Sequence, residues 1–184
     1  RRMNSPQIGA VAGCVRVSNR KSLWARFQAL EYVCGLALLK RAQSAASSVV
    51  IVPGPFGLFR RSALASVGGY ERHLFAEDFD LTLKLLGAGW HVVYEPKARA
   101  LTEAPEQMLD LIQQRYRWSR GSIQALMRRR HLLASPISAP VRCLALWYLL
   151  LDCIGWPLLN VLGLITMVTG IALASAYIPS TGDA

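Results

Sequence analysis

Three carboxylates stand within four consecutive positions, at Glu77, Asp78 and Asp80. Like charges at this spacing repel one another, so the cluster is costly as an ordinary patch of surface. One interpretation is structural: a carboxylate at a helix start accepts hydrogen bonds from free backbone amides and is stabilised by the helix dipole. The other is chemical: a carboxylate would act as a general base, or the Asp78-x-Asp80 pair would bind a metal ion. The spacing alone does not choose between these interpretations.

A second group of residues that could take part in binding or catalysis is the segment Gln114-Arg115-Tyr116-Arg117-Trp118. Gln114 lies three residues before Arg117 and four before Trp118, so the three side chains would share one face of a helix. A guanidinium binds phosphate oxygens, often bidentately, and an indole stacks on the weakly apolar C–H face of a sugar ring. The alternative is that Trp118 and the arginines only meet headgroups at a membrane surface.

Alternating strands and helices must position these two clusters. The expected strands are Ile8–Val17, 49–52, 58–59 and 90–94, the last ending at Pro96. Two helices are expected first, one from a cap at Ser22 to about Lys40 and a short one from Ser62 to the pair Gly68-Gly69. Two more are expected from near Asp78 to Gly87 or Gly89 and from Pro105 through Trp118. The first of them places five apolar residues on one face: Leu23, Phe27, Leu30, Cys34 and Leu38. This alternation predicts an α/β layered domain followed by membrane helices.

The C-terminal part of the chain is strongly apolar. Residues 144–178 contain one side chain that is charged at neutral pH, Asp152. A single straight helix of this length exceeds the roughly 30 Å hydrocarbon core of a bilayer, so we expect two membrane segments or one crossing helix with an interfacial piece. Gly155, Pro157 and Asn160 mark the expected break. The alternative is a buried helical hairpin of a soluble protein.

The charge distribution favours the membrane interpretation. The chain has 21 Lys and Arg against 11 Asp and Glu, and between Asp110 and Asp152 the charged side chains are all basic. Arginines beside an apolar span are retained on the cytoplasmic side and also contact anionic headgroups. A nucleic-acid surface is the competing explanation, but the interleaved aromatic residues and fold motif typical of such surfaces are missing.

Composition excludes two other classes of protein. With 53% hydrophobic and 17% charged residues, the chain is not intrinsically disordered. Its four cysteines are too few for a disulfide scaffold and lack metal-ligand spacing, so we expect free thiols.

Five short motifs occur in a fixed order along the chain: Gly54-Pro55, Arg60-Arg61-Ser62-Ala63-Leu64, Gly68-Gly69-Tyr70, Glu77-Asp78 and Gln114-x-x-Arg117-Trp118. In this order the chain resembles the membrane-embedded family 2 glycosyltransferases, which include the synthases of cellulose, chitin, hyaluronan and poly-N-acetylglucosamine. The bacterial poly-N-acetylglucosamine synthases are the nearest in appearance. The resemblance extends over nearly the whole chain.

The resemblance implies a GT-A nucleotide-sugar fold and an inverting transfer. Asp78 matches the family's general base, with Glu77 beside it, although Ala76 stands where the family has Thr. Gly54 and Pro55 fall where family members shape the pocket of the acceptor sugar. Asp80 is then expected to support substrate binding indirectly or to cap the helix rather than to hold the metal.

In the same way, Gln114, Arg117 and Trp118 match the family's Gln-x-x-Arg-Trp motif. In the family this motif lies on an interfacial helix near the diphosphate of the sugar donor and the acceptor end of the glycan. The resemblance thus implies the C-terminal portion of a GT-A domain at residues 1–135, including that helix. A membrane segment follows at 136–184, with one or two helices within 144–178.

The family's nucleotide-binding half, with its metal-holding Asp-x-Asp, lies upstream of this segment. The expected Mg²⁺ or Mn²⁺ would therefore be bound mainly by residues outside the chain, and residues 1–184 alone are expected to be inactive. The implied sugar donor is UDP-N-acetylglucosamine or UDP-glucose, and the acceptor is a growing polysaccharide. The resemblance implies a multi-pass protein of the inner membrane whose catalytic part lies in the cytoplasm. It implies no nucleic-acid partner. The alternatives are a non-processive lipid glycosyltransferase and a non-catalytic membrane protein that retains the fold.

Overall fold

The computed structural model describes residues 2–71, 73–134 and 140–177. The chain forms two compact units, Arg1–Trp147 and Tyr148–Ala184. The first unit contains both motif clusters, a small mixed sheet and the helices around it. The mixed α/β architecture expected from the sequence is confirmed.

A three-stranded sheet lies in the first unit, with β1 (Ile8–Val17) between β2 (Gly57–Phe59) and β3 (His91–Thr102). β1 pairs antiparallel with β2 and parallel with β3. Residues 9–14 of β1 are all buried, as expected for a central strand that is covered on both faces. The strands expected at Ile8–Val17 and 58–59 are confirmed.

β3 is longer than its sequence indicates, because it continues past Pro96. Proline lacks the backbone N–H that a sheet ladder requires, so it predicts a strand end. Here the register between β1 and β3 shifts, because Gly13 is opposite Glu95 whereas the next residue, Cys14, is opposite Arg99. Pro96 lies inside this bulge, where no ladder hydrogen bond is required of it, and the strand resumes beyond it.

The strand expected at residues 49–52 is wrong. The segment is buried, but only an isolated bridge between Ser48 and Val92 precedes it. Two of its backbone amides donate to side chains instead of to a neighbouring strand: Val50 N to Gln43 Oε1 at 3.3 Å and Val52 N to Thr82 Oγ1 at 3.0 Å. Val49 N still donates to Val92 O at 3.0 Å, but side-chain acceptors take the place of a ladder for Val50 and Val52.

The first long helix begins as expected, with Ser22 accepting a hydrogen bond from Ala25 N at 3.1 Å. It comprises α1 (Leu23–Glu31), a π-helical stretch at Tyr32–Ala37 and α2 (Leu38–Ala45). The small residues of α1 face the core. The large apolar residues expected on one face are exposed instead, and they form what we call the α1–α2 apolar face: Leu23, Phe27, Leu30, Cys34 and Leu38.

Three further helices complete the region of the motif clusters. α3 (Arg61–Ser66) and α4 (Glu77–Gly87) begin close to the expected residues. α5 (Met108–Arg128) begins three residues after Pro105, which was expected in its first turn. The delay follows from Asn19, whose side chain accepts from Ala104 N at 2.7 Å and donates to Ala104 O at 2.8 Å, holding this segment away from a helical path. A short 3-10 turn, Arg130–Ala134, follows α5.

The apolar C-terminal run is helical throughout its described part. α6 (Pro140–Leu150), a π-helical turn (Leu151–Gly155) and α7 (Trp156–Tyr177) follow one another without a non-helical residue. The break expected at Gly155, Pro157 and Asn160 is therefore only a widened turn, which accommodates a proline that has no N–H to donate. Ile178 lies outside the described residues. Among the described residues, one helix, Pro140–Ser175, is long and apolar enough to cross a membrane.

Candidate active site

Asp78 lies in the first turn of α4 and is bound on both carboxylate oxygens. Gly54 N donates to Oδ2 at 3.0 Å, and Phe79 N donates to Oδ1 at 2.8 Å. The cap position of α4 is Ala76, which has no side-chain hydrogen bond. The interpretation that Asp78 satisfies free amides at a helix start is thus compatible with a chemical role, because each oxygen keeps an unused lone pair.

The loop at residues 53–56 holds Gly54 against Asp78. Phe56 N donates to Pro53 O at 3.0 Å, which closes the turn, and Gly13 N donates to Phe56 O at 3.0 Å, which ties the loop to β1. Gly13 has no room for a Cβ atom because the Phe56 ring occupies that space. The structure therefore brings together two site regions singled out in the sequence, the loop containing Gly54 and Pro55 and the start of α4.

Two ionisable side chains near Asp78, those of Lys40 and Tyr70, were not predicted from the sequence as site residues. Burial lowers the pKa of Lys40 to about 8, although the charges of Asp78 and Cys14 act in the opposite direction. Burial, and then the charges of Glu77 and Asp78, raise the pKa of Tyr70. The Tyr70 ring also meets Phe59 edge-on, with 6.2 Å between ring centroids. A lysine in a helix carries no sequence signal of its burial, whereas Tyr70 belongs to one of the five ordered motifs.

The second cluster is organised by α1. Gln28 Nε2 donates to Gln114 Oε1 at 2.7 Å, and Arg115 forms a bidentate ion pair with Glu31 that includes an Nη1–Oε1 contact of 2.6 Å. The Arg115 guanidinium carbon also lies 4.8 Å from the centroid of the Trp118 ring. Arg115 thereby fixes the indole, and 39% of the Trp118 surface remains exposed.

Arg117 is exposed and lines a groove on α5. The groove has a volume of about 750 Å³ and is lined by Pro105, Asp110, Ile112, Gln113, Gln114, Tyr116 and Arg117. It combines an amide, a guanidinium and a phenol, which can bind an anionic sugar derivative. Trp118 does not line this groove.

α4 and α5 touch at a close backbone approach. A Cβ atom on Gly121 would lie 2.7 Å from Ala76 Cβ and 2.8 Å from Ala76 N. Gly121 follows Trp118 by three residues, and Ala76 precedes Asp78 by two. The two clusters are therefore held on contacting helices. Within the described part of the chain, no hydrogen bond or ion pair joins the Asp78 carboxylate directly to Gln114, Arg117 or Trp118.

Asp80 is fully buried, and its Oδ1 lies 3.2 Å from Arg129 Nε. No cluster of three His, Cys, Asp or Glu side chains that could hold a metal ion occurs in residues 2–71, 73–134 and 140–177. Asp78 is engaged by backbone amides and Asp80 by an arginine.

Comparison with known proteins identifies relatives of this chain. Two curated relatives are poly-beta-1,6-N-acetyl-D-glucosamine synthases, one of Staphylococcus aureus at 34% identity over 125 residues and one of Staphylococcus epidermidis at 35% over 124. These matches cover 68% and 67% of this chain but 30% of each relative, so the chain spans about a third of the length of those proteins.

A mannosyltransferase of Pyrobaculum calidifontis, PcManGT, solved in complex with GDP-Man and Mn²⁺, has a similar fold. The TM-score is 0.51 at 22% identity, covering 96% of this chain and 50% of that one. The sequence also matches the family described as glycosyl transferase family group 2 over residues 1–178. The chain therefore belongs to glycosyl transferase family group 2.

Proposed function

We propose that this chain is part of an inverting glycosyltransferase that moves a sugar from a nucleotide diphosphate to a growing polysaccharide at the cytoplasmic face of a membrane. The observation that carries the proposal is the Asp78 carboxylate, held at the start of α4 by Gly54 N and Phe79 N beside a rigid loop. Family membership supplies the reaction class. The names of the staphylococcal relatives favour N-acetylglucosamine as the sugar, with UDP-N-acetylglucosamine as the donor and UDP-glucose as the alternative.

Asp78 is the proposed general base. The acceptor hydroxyl attacks the anomeric carbon, its proton moves to a carboxylate oxygen of Asp78, and the bond to the nucleotide diphosphate breaks on the opposite face. The two backbone N–H groups hold the carboxylate in one orientation, and this pre-organisation is what a base in direct displacement requires. Glu77 adds negative charge beside it at the helix start.

The α5 cluster is proposed to bind the substrates. Arg117 is exposed and suits the diphosphate, where negative charge grows as the leaving group departs. Gln114 lines the same groove and is held by Gln28, while Trp118, fixed by Arg115, offers its exposed part to a sugar ring. Gly54 and Pro55 shape the acceptor side next to Asp78.

The divalent ion expected for the family, Mg²⁺ or Mn²⁺, is proposed to be held by residues outside this chain. This proposal is supported by the finding that no group of three His, Cys, Asp or Glu side chains able to hold a metal occurs among the described residues. When bound, such an ion would neutralise charge on the sugar donor's diphosphate.

A location at the inner membrane is proposed from three surfaces. The helix Pro140–Ser175 has the length and composition of a membrane span. The α1–α2 apolar face is exposed, as are large apolar residues of α5: Met108, Leu109, Ile112 and Tyr116. Arginines between Asp110 and Asp152 would contact anionic headgroups from the cytoplasmic side.

The test is to incubate membranes containing the full-length protein with a panel of labelled nucleotide sugars and to measure both transfer and product length. We expect incorporation from one UDP-sugar into a polymer. One sugar per acceptor would instead indicate the lipid glycosyltransferase. Incorporation from none of the sugars, by protein shown to be folded, would indicate the non-catalytic alternative and contradict the proposal.

A further inference from the structure

An ion pair between a buried carboxylate and a partly exposed guanidinium joins α4 to the C-terminal end of α5. Asp80 is completely inaccessible to solvent, and its Oδ1 lies 3.2 Å from Nε of Arg129, the residue that caps α5. The other carboxylate oxygen, Oδ2, is buried and has no hydrogen-bond partner within the described residues. Burying a carboxylate is costly even when a partly exposed guanidinium pairs with it, so an apolar contact would hold two helices together at least as well. Stability alone therefore does not explain why an ion pair joins α4 to α5.

The ion pair and the Gly121 contact lie along one side of α5. Gly121, Ala125 and Arg129 are spaced by four residues, which places them on the same helical face, and Ala125 is buried between the other two. Gly121 touches Ala76 just before α4, whereas Arg129 touches Asp80 one turn inside it. Two contacts about 12 Å apart along the axis fix the angle of α5 against α4. The N-terminal half of α5 is also held against α1, by the hydrogen bond from Gln28 to Gln114 and the ion pair of Arg115 with Glu31.

The proposed substrate-binding residues of α5 lie on the N-terminal side of Gly121. Gln114 is seven residues before Gly121, or about 10 Å along the helix, so a tilt of about 10° around Gly121 would move it by about 2 Å. We infer that Asp80 and Arg129 are positioning residues that fix the angle of α5 and thereby hold Gln114, Arg117 and Trp118 at a set distance from Asp78. This inference rests on the proposed transfer reaction.

The experiment compares Arg129→Gln, Arg129→Lys and the control Arg128→Gln in the full-length enzyme. Arg128 is exposed and adjacent, and its substitution leaves the Asp80 pair intact. The turnover number and the KM for the sugar donor are measured separately, and thermal unfolding reports whether each variant is folded.

We expect Arg129→Gln to lower kcat about 30- to 100-fold with KM within about twofold, because misplacement by an ångström or more slows a bound reaction. Arg129→Lys keeps the charge and should recover kcat to within about fivefold of wild type, and Arg128→Gln should be near wild type. Unchanged kcat in folded Arg129→Gln, or no recovery in Arg129→Lys, overturns the inference. If Arg129→Gln does not fold, Asp80→Asn combined with Arg129→Gln leaves no uncompensated buried charge and should show the same loss of kcat.

A second readout does not depend on activity. Spin labels are placed at the exposed residues Ala88, beside α4, and Ile112, on α5, after the accessible native cysteines are replaced by serine. We expect the distance distribution between the labels to shift or broaden by about 2 Å in Arg129→Gln but not in Arg128→Gln, following the tilt estimated above. An unchanged distribution contradicts the positioning role. Inactivity of the wild-type enzyme with every sugar would contradict only the proposed function.

Discussion

At the scale of single residues, the candidate site depends on how Asp78 is held. The sequence predicted Asp78 and Gly54 as site residues, but it did not predict that the backbone N–H of one binds the carboxylate of the other at 3.0 Å. That bond requires a loop and a helix 24 positions apart to meet, which periodicity cannot indicate. Lys40 was missed for the same reason, since its burial arises from packing.

Lys40 gives a pH-dependent prediction. Its pKa is about 8 in the folded chain, below the ordinary value of 10.5, so the folded state binds fewer protons than the unfolded state between these two values. Stability should therefore rise as the pH increases from about 8 to about 10.5, by an amount on the order of 1–3 kcal/mol. Lys40→Met should lack this rise, and Lys97→Met, at an exposed position, should retain it. Thermal unfolding at pH 7.5 and 9.5 measures the difference, and equal pH dependence in both variants would exclude the burial of Lys40.

Trp118 gives a prediction about the substrate. Arg115 fixes the ring, and the exposed part is free to stack on a sugar. In the full-length enzyme, Trp118→Ala should reduce polymer formation about 3- to 10-fold, which corresponds to the loss of one aromatic stacking interaction. Hydrolysis of the sugar donor should stay within about twofold of wild type. Trp118→Phe keeps a flat ring and should recover most of the polymer. Equal losses in polymer formation and hydrolysis would mean that Trp118 only anchors the chain at a surface.

At the scale of elements, capping and periodicity predicted the helices better than the strands. Ser22 and the acidic first turn of α4 identified two helix starts, because these signals are local. The apolar segment 49–52 was wrongly predicted as a strand, since its amides find the side chains of Gln43 and Thr82. Pro96 was wrongly predicted to end a strand because a bulge accommodates it. Apart from Gln43, which is seven residues from Val50, the partners that decide both cases are distant in sequence.

The close approach of α4 and α5 gives a prediction at this scale. Gly121→Ala would place a Cβ atom 2.7–2.8 Å from Ala76, so one helix must move. We expect a loss of about 1–3 kcal/mol in unfolding free energy and a fall in kcat, as for other overpacked contacts. Gly87→Ala is the matched control, because its Cβ would lie 3.5 Å from Leu132, an ordinary contact. Similar behaviour of the two variants would argue against a tight approach at Gly121.

At the scale of the whole molecule, the chain combines a mixed α/β unit with an apolar helix and spans about a third of its staphylococcal relatives. Composition was sufficient to predict this combination, because a long apolar run with one side chain charged at neutral pH is unusual outside membranes. It was not sufficient to predict that the helix continues through Pro157, since a π-helical turn at Leu151–Gly155 absorbs the proline.

Membrane attachment can be tested on the chain of residues 1–184. If the helix Pro140–Ser175 inserts, the protein should stay in the membrane pellet after washing with 1 M salt and with alkaline carbonate, because insertion does not depend on screened charges. Residues 1–134 alone should be released by carbonate. Release of the longer chain by salt would show that arginines and headgroups account for the attachment.

The most direct test of the account replaces Asp78 by Asn in the full-length enzyme. The substitution preserves size but removes the proton acceptor, so sugar transfer should fall by about 100-fold or more while binding of the nucleotide-sugar donor, measured by calorimetry, stays within about twofold. Glu103→Gln, at an exposed position just after β3 and outside the proposed site, is the control and should transfer normally. Near-normal transfer by Asp78→Asn with intact donor binding would contradict the assignment of the base, and with it the proposed site.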